Sequence, residues 1–386
     1  EQFPEVDHFV LNEAEVTLPP FLADLARGTA RRVYASAEFP DVRLTPAPRW
    51  ELADLGRYAS MSIQFSRGCP YDCDFCDITA MFGHRPRIKT PEQIVAELEG
   101  LYRLGWRSRV FFVDDNFIGN KRYLKETLLP ALIEWRRRRP GIGFFTEASI
   151  NLADDERLMR MMVEAGFETV FIGIETPDDA GLKECDKAQN RGRDLVADVK
   201  RIQRAGLQVQ GGFIVGFDSD TPAIFQRQID FIQRSGIVTA MVGVLNALPR
   251  TRLYERLKSE GRLTGRTTGD NMDGTTNFVP RMDMEALSQG YRQLVRRLYA
   301  PRAYYQRVRT FLREYRPPRT RPRLDWTNLR ALAYANLRLG LVGRERFQYW
   351  RLLAWTFFRR PARLDMAVTL AIYGHHFRKI SDALGP

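Results

Sequence analysis

Cysteines at 69, 73 and 76 form a C-x3-C-x2-C loop that holds three of the chain's four thiols. Thiols grouped this tightly suit metal chemistry. Gly68 and Pro70 flank the first cysteine and break regular structure, so the segment leaves the apolar run 61–65 as a loop whose side chains can converge on one centre. An iron-sulfur cube ordinarily takes four cysteine ligands. Three leave one iron open to an outside ligand. Two plainer readings stand beside this one: a zinc site completed by His84 or Cys185, and three buried structural cysteines on a helix, which Gly68 and Pro70 disfavour. Cys185, in K-E-C-D-K, reads as a partly exposed bystander and is given no role.

The other residues able to do chemistry follow short apolar runs. Asp114 and Asp115 are adjacent acids, costly to desolvate, and suit a cationic or hydrogen-bonding guest; capping of the helix that follows is the plainer role. In T-E-A-S-I-N, Glu147 and Ser149 share one side of a strand by period-two alternation. Glu175, in G-I-E-T-P, stands just before a turn, where it could bind a ligand or simply pair with a nearby cation. The run from Gly211 to Phe217 keeps side chains short at Gly212 and Gly216, which lets backbone approach a flat ligand.

These residues need elements to hold them. Strand-like runs at 61–65, 109–113, 143–150, 169–174, 209–215 and 238–245 alternate with helical spacing at 91–104, 121–137, 154–165, 191–205 and 222–235. That alternation predicts an α/β fold of β-α units on a parallel sheet, with chemistry at the carboxyl ends of the strands. Upstream, a strand at 8–11 and a helix from about Pro19 to Arg27 read as one β-α unit. The chain opens on Glu1 and reads as a fragment.

The cysteine spacing, with Phe75 before the third thiol, resembles the radical SAM superfamily. The resemblance implies a partial (β/α)6 barrel and a 4Fe-4S cluster on Cys69, Cys73 and Cys76. The open iron would chelate the amino and carboxylate groups of S-adenosylmethionine, and one-electron cleavage would give a 5′-deoxyadenosyl radical. The same resemblance assigns the cofactor contacts to Asp114, Asp115, Glu147, Ser149, Glu175, Gly212, Ile214, Gly216 and Phe217, with adenine held by main-chain groups at 214–217. At 114–117 the chain reads D-D-N-F where the superfamily often has G-G-E. The strand-N-E-A-E-helix pattern before residue 28 is similar to the end of a cobalamin-binding domain, in the subgroup that includes hopanoid methylases. That implies cobalamin as methyl carrier, methylation of an unactivated carbon of a lipid or other small molecule, and a flavodoxin or ferredoxin as electron donor. A non-methylating rearrangement, cyclisation or oxidation is the alternative. A tRNA-modifying enzyme is a third reading, although no second cysteine trio precedes the first.

The expected organisation is the end of a cobalamin-binding-like domain at 1–28, a linker at 29–60, the partial barrel at 61–250, a substrate-side extension at 251–315 and a basic, aromatic-rich helical tail at 316–386. With 386 residues, 44% of them hydrophobic, the chain can bury a large core. Four cysteines make no disulfide framework, and no apolar run approaches spanning length, so a cytoplasmic setting is expected. The net charge is +12, and residues 316–386 carry 14 Lys or Arg against 4 Asp or Glu. The basic character therefore belongs to the tail. After a stiff basic linker at 316–323, its arginines interleave with aromatics, which suits peripheral contact with the inner face of a membrane, nucleic-acid binding, or a helical domain with a basic outer face. Nucleic acid is the least favoured of these.

Overall fold

Each of the six apolar runs forms a strand: β1 Ser60–Ile63, β2 Arg109–Phe112, β3 Phe144–Glu147, β4 Phe167–Glu175, β5 Gln208–Val215 and β6 Ala240–Val244. All five pairings are parallel, and the strands lie side by side in chain order. The computed structural model describes residues 3–265, 267–270, 273–316 and 326–383. Sequential order with right-handed crossovers places every connecting helix on the same side of the sheet. The opposite face becomes a lumen.

The connecting helices are α1 Pro91–Arg103, α2 Leu129–Arg138, α3 Glu156–Ala165, α4 Leu195–Ala205 and α5 Ala223–Ser235. Alternation along β4 shows how one strand serves both sides. Val170, Ile172 and Ile174 are buried in the main apolar core, whereas Phe171, Gly173 and Glu175 face the lumen. Helix starts follow their caps: Thr90 and Gln93 form a reciprocal capping box around Pro91. The single helix expected at 121–137 is divided, with a wide π turn at Leu124–Leu128 before α2. Pro130 has no N–H to give the preceding turn, and the widened turn accommodates the loss.

The N-terminal helix differs from expectation. It spans Ala14–Ala26, with Pro19 and Pro20 inside it, rather than starting at Pro19. Tertiary contacts outweigh the local signal: Glu13 accepts from Arg67 and Arg87, Glu15 accepts from Arg67, and the Thr17 hydroxyl donates to the Glu13 carbonyl. Phe9–Val10 pairs in parallel with Val33–Tyr34, completing a small β-α-β unit. Part of the segment expected as linker thus carries structure, with short 3-10 turns at Val42–Leu44, Trp50–Leu52 and Leu55–Arg57.

On the far side of the sheet, helices α6 Met284–Tyr299 and α7 Pro301–Glu314 pack against α5 and cover the open edge of β6. Tyr291 and Tyr299 donate their hydroxyls to the carbonyls of Val242 and Ala240, at 3.2 and 2.6 Å, which satisfies an edge that would otherwise invite pairing. The tail then forms α8 Trp326–Ala335, a π segment Asn336–Val342, α9 Arg346–Arg359 and α10 Leu364–Ala383. Beyond Arg316, the expected basic linker lies outside the described residues. No described helix is long and apolar enough to cross a membrane.

Candidate active site

The cysteine loop leaves β1 and is pinned at both ends. Ser66–Arg67 pairs antiparallel with Arg87–Ile88, and the Cys69 N–H donates to the Gly83 carbonyl at 3.3 Å. Gly68 has φ +99°, and a Cβ there would sit 2.9 Å from the Gly83 oxygen, so only glycine fits the crossing. At the other end the Asp74 N–H donates to the Cys185 carbonyl at 3.0 Å, and Arg252 pairs with Asp74 at 2.9 Å. Between these anchors Cys69, Cys73 and Cys76 are free thiols lining one cavity of about 210 Å³.

Asp115, Asn116, Glu147, Ser149, Glu175 and Lys187 line the same cavity. Asp115 accepts from the Gly68 N–H at 2.8 Å, so it braces the loop as well as facing the void. Burial pushes its carboxyl above the usual range. Glu147 is raised to about 7, first by burial and then by Asp115. Burial also raises all three thiols, Cys76 to about 12. Lys187 opposes that trend. Burial alone would lower its pKa, but the Glu175 carboxylate, 2.6 Å away, and the Cys73 thiol hold it raised. Glu175 itself takes a left-handed φ of +62°, uncommon for a residue with a side chain, which fits a functional strand end.

A second cavity of about 260 Å³ adjoins the first through Phe75, Phe171, Gly173 and Glu175. Its walls include Gly212, Ile214, Met241, Gly243 and Leu248. Gly173 lies opposite Gly212, so two adjacent strands both lack a side chain at that level of the lumen. A Cβ on Gly212 would meet the Phe171 ring at 2.7 Å. The Phe171 ring thus lies over Gly212, in the space a side chain there would need.

Of the twelve residues expected at the site, nine face one cavity or the other: the three cysteines, Asp115, Glu147, Ser149 and Glu175 at the first, with Glu175 shared, and Gly212 and Ile214 at the second. The other three lie off both walls. Asp114 is fully buried, accepting from the backbone and hydroxyl of Ser66 and from the Phe65 N–H; its pKa rises to about 7 by burial, and it anchors the start of the loop. The N–H groups of Gly216 and Phe217 donate to Asp220, and the Ile214 carbonyl accepts from Gln228 at 2.7 Å. Those main-chain groups are therefore engaged within the protein. Cys185 is 2% exposed, correcting the expected partial exposure: it packs with Phe217, Leu245 and Leu253. His84 is exposed and lines neither cavity.

Sequence reasoning missed five contributors: Lys187, Gln189, Asn116, Asn151 and Tyr71. Lys187 and Gln189 reach the thiols from a 3-10 turn region after β4, with the Gln189 amide 3.8 Å from Cys73 Sγ. The K-A-Q run after Cys185 carries no periodic signal of its own. Asn116 stands 4.0 Å from Cys69 Sγ and bonds Ser149, which bonds Asn151, which in turn donates to the Tyr71 hydroxyl. Asn116 was visible in D-D-N-F but overshadowed by its acidic neighbours.

Residues 63–232 match the family model described as the radical SAM superfamily, and residues 251–385 match a domain of unknown function, DUF4070. The chain is 42% identical to an uncharacterized methyltransferase of Synechocystis sp., over 96% of this chain and 70% of that protein. The chain belongs to the radical SAM superfamily. It is also 37% identical to the hopanoid C-2 methylase of Rhodopseudomonas palustris, over 80% of this chain but only 58% of that protein. Among solved structures, the cobalamin-dependent S-adenosylmethionine radical enzyme OxsB, with aqua-cobalamin bound, shares the fold at a TM-score of 0.60 and 14% identity, over 99% of this chain and 65% of that one.

The donor set fits the radical SAM cofactors. Three thiols face one void without a fourth, since Cys185 is turned into a separate apolar cluster. Among the described residues, no three His, Cys, Asp or Glu side chains close around a single metal ion. Cys69, Cys73 and Cys76 would hold the 4Fe-4S cluster.

Proposed function

We propose that this chain is the catalytic part of a cobalamin-dependent radical SAM C-methyltransferase acting on a lipid, with a hopanoid-type substrate as the leading candidate. One observation carries the catalytic reading: the three-thiol cavity opens into a glycine-walled lumen lined largely by apolar side chains. The resemblance to a hopanoid C-2 methylase supports the reaction type and substrate class. When bound, the cluster supplies the electron that cleaves S-adenosylmethionine for hydrogen abstraction, and cobalamin carries the methyl group that is delivered.

The chain's own residues have definable tasks in this reading. Asp115, Glu147, Ser149 and Glu175 offer acceptors and hydroxyl to the polar ends of S-adenosylmethionine, while Gly212 and Ile214 give its flat part a close wall. Phe171 and Met241 present apolar surface to a hydrocarbon substrate and keep water from the reacting carbon. Asp114, Gly216 and Phe217 support that shell through the loop and strand end they hold. The N-terminal β-α-β unit would continue into the cobalamin-binding domain, a flavodoxin or ferredoxin would supply electrons, and residues 316–386 would rest on the inner face of the membrane.

The test uses the full-length protein reconstituted with iron, sulfide, cobalamin, S-adenosylmethionine and a reductant. Both 5′-deoxyadenosine and a methylated hopanoid are expected. Deoxyadenosine without any methylated lipid would end the methyltransferase reading and leave the radical SAM assignment standing.

A further inference from the structure

Helix α9 is apolar on two opposite sides, and only one of them is packed. Tyr349, Leu352 and Thr356 are buried against the neighbouring helices. On the other side Phe347 is 74% exposed and Phe358 80% exposed, with Trp350 and Phe357 exposed beside them. At about 100° per residue, these four rings fall within an arc of roughly 120°. The π segment before α9 continues the patch: Leu341 and Val342 are also exposed, and the Trp350 indole donates to the Gly340 carbonyl at 2.9 Å, joining the two elements. So many exposed large apolar side chains on one element mark an interaction surface rather than scattered surface residues.

The charges around this face are of one sign. Arg344, Arg346, Arg351, Arg359 and Arg360 are exposed, and none pairs with a carboxylate among the described residues. The single acid beside them, Glu345, is buried and committed to Arg378 at 2.6 Å and His375 at 3.1 Å. An aromatic and aliphatic face rimmed by unpaired arginines matches the layering of a bilayer surface, with rings at the acyl boundary and guanidinium groups at lipid phosphates. A second copy of the chain would bring the same arginines against each other across a two-fold axis. Nucleic acid would meet the cations but gain little from Leu341, Val342 or Phe358.

We infer that the exposed face of α9, with Leu341 and Val342, docks this protein onto an anionic lipid bilayer, lying in the interface without crossing it. The inference deepens the membrane contact proposed above and specifies its surface and lipid chemistry. Attachment through one helix face and a rim of arginines is reversible, dependent on anionic lipid, and weakened by salt.

The test is flotation of the purified chain with vesicles of phosphatidylcholine alone or mixed with phosphatidylglycerol. Wild type should float with the mixed vesicles, float far less with phosphatidylcholine alone, and be released as salt rises. The double variant Phe357→Ser/Phe358→Ser should lose about tenfold in vesicle affinity, and Arg346→Gln/Arg351→Gln should lose the preference for phosphatidylglycerol. Both should keep the wild-type thermal unfolding curve, because these side chains are exposed. No flotation of wild type, or undiminished flotation of the Phe357→Ser/Phe358→Ser variant, would overturn the inference. So would a wild-type dimer that the serine variant dissociates, or RNA binding lost with the same residues. Flotation needs no cluster, cofactor or turnover, so a protein that floats but methylates no lipid would sink the substrate reading alone.

Discussion

Replacing Lys187 with methionine isolates the buried charge pair at the centre of the site. Its ammonium lies 2.6 Å from Glu175, and the two side chains are only 13% and 9% exposed. Methionine keeps the length and apolar stem but leaves the Glu175 carboxylate without its cation. Breaking a buried pair in this way costs roughly 3–5 kcal/mol, because the remaining charge is desolvated and unpaired. Against a typical stability of about 5–15 kcal/mol, the loss is easily measured by urea unfolding of the cluster-free chain. The double variant Lys187→Met/Glu175→Gln should recover more than half of it, since no charge is then stranded. A Lys187→Met variant within about 1 kcal/mol of wild type at pH 8 would refute the reasoning, because it would mean that water screens the pair.

Changing Cys69, Cys73 and Cys76 to alanine should abolish iron and acid-labile sulfide in the reconstituted chain, whereas Cys185→Ala should retain both; metal analysis decides. Glu147 has a folded-state pKa of about 7 against an ordinary 4.5, so the folded form holds its proton more tightly than the unfolded one. Its stabilising contribution is complete below about pH 4.5 and is lost as pH rises through 7. Glu147→Gln should therefore flatten the fall in apo-chain stability between pH 5 and pH 8 by on the order of 2–3 kcal/mol, read from urea curves at several pH values. Gly212→Val places branched carbon where a Cβ alone would already meet Phe171 at 2.7 Å. It should weaken S-adenosylmethionine binding to the reconstituted protein by more than tenfold in calorimetry while iron content stays unchanged.

The parallel sheet was legible because each strand carries its own apolar run, and the thiols were legible because their spacing is local. What could not be read was the assignment of backbone hydrogen bonds. Glycine at 216 and the aromatic at 217 looked available to a ligand, yet Asp220, only a few residues on, takes both N–H groups. Of two adjacent acids, Asp115 faces the cavity and Asp114 turns inward to Ser66, a choice set by strand pairing across 48 residues. The Pro19-Pro20 pair reads as a helix start in isolation. It is overridden by arginines at 67 and 87 that no local window around the helix contains.

Those same arginines tie the N-terminal unit to the cysteine loop. Arg67 immediately precedes Gly68 and Cys69 and bonds Glu13 at 2.7 Å and Glu15 at 2.9 Å; Arg87, on the paired strand, bonds Glu13 at 2.6 Å. The carboxylates come from the first turn of the N-terminal unit, the stretch whose N-E-A-E pattern first suggested a neighbouring cobalamin domain. Both acids are nearly buried, and the Arg67 guanidinium holds Glu15 down to about 2 despite a burial that pushes the other way. A bidentate, desolvated arginine clamp beside the cysteine loop holds the N-terminal unit more rigidly than a solvated linker would.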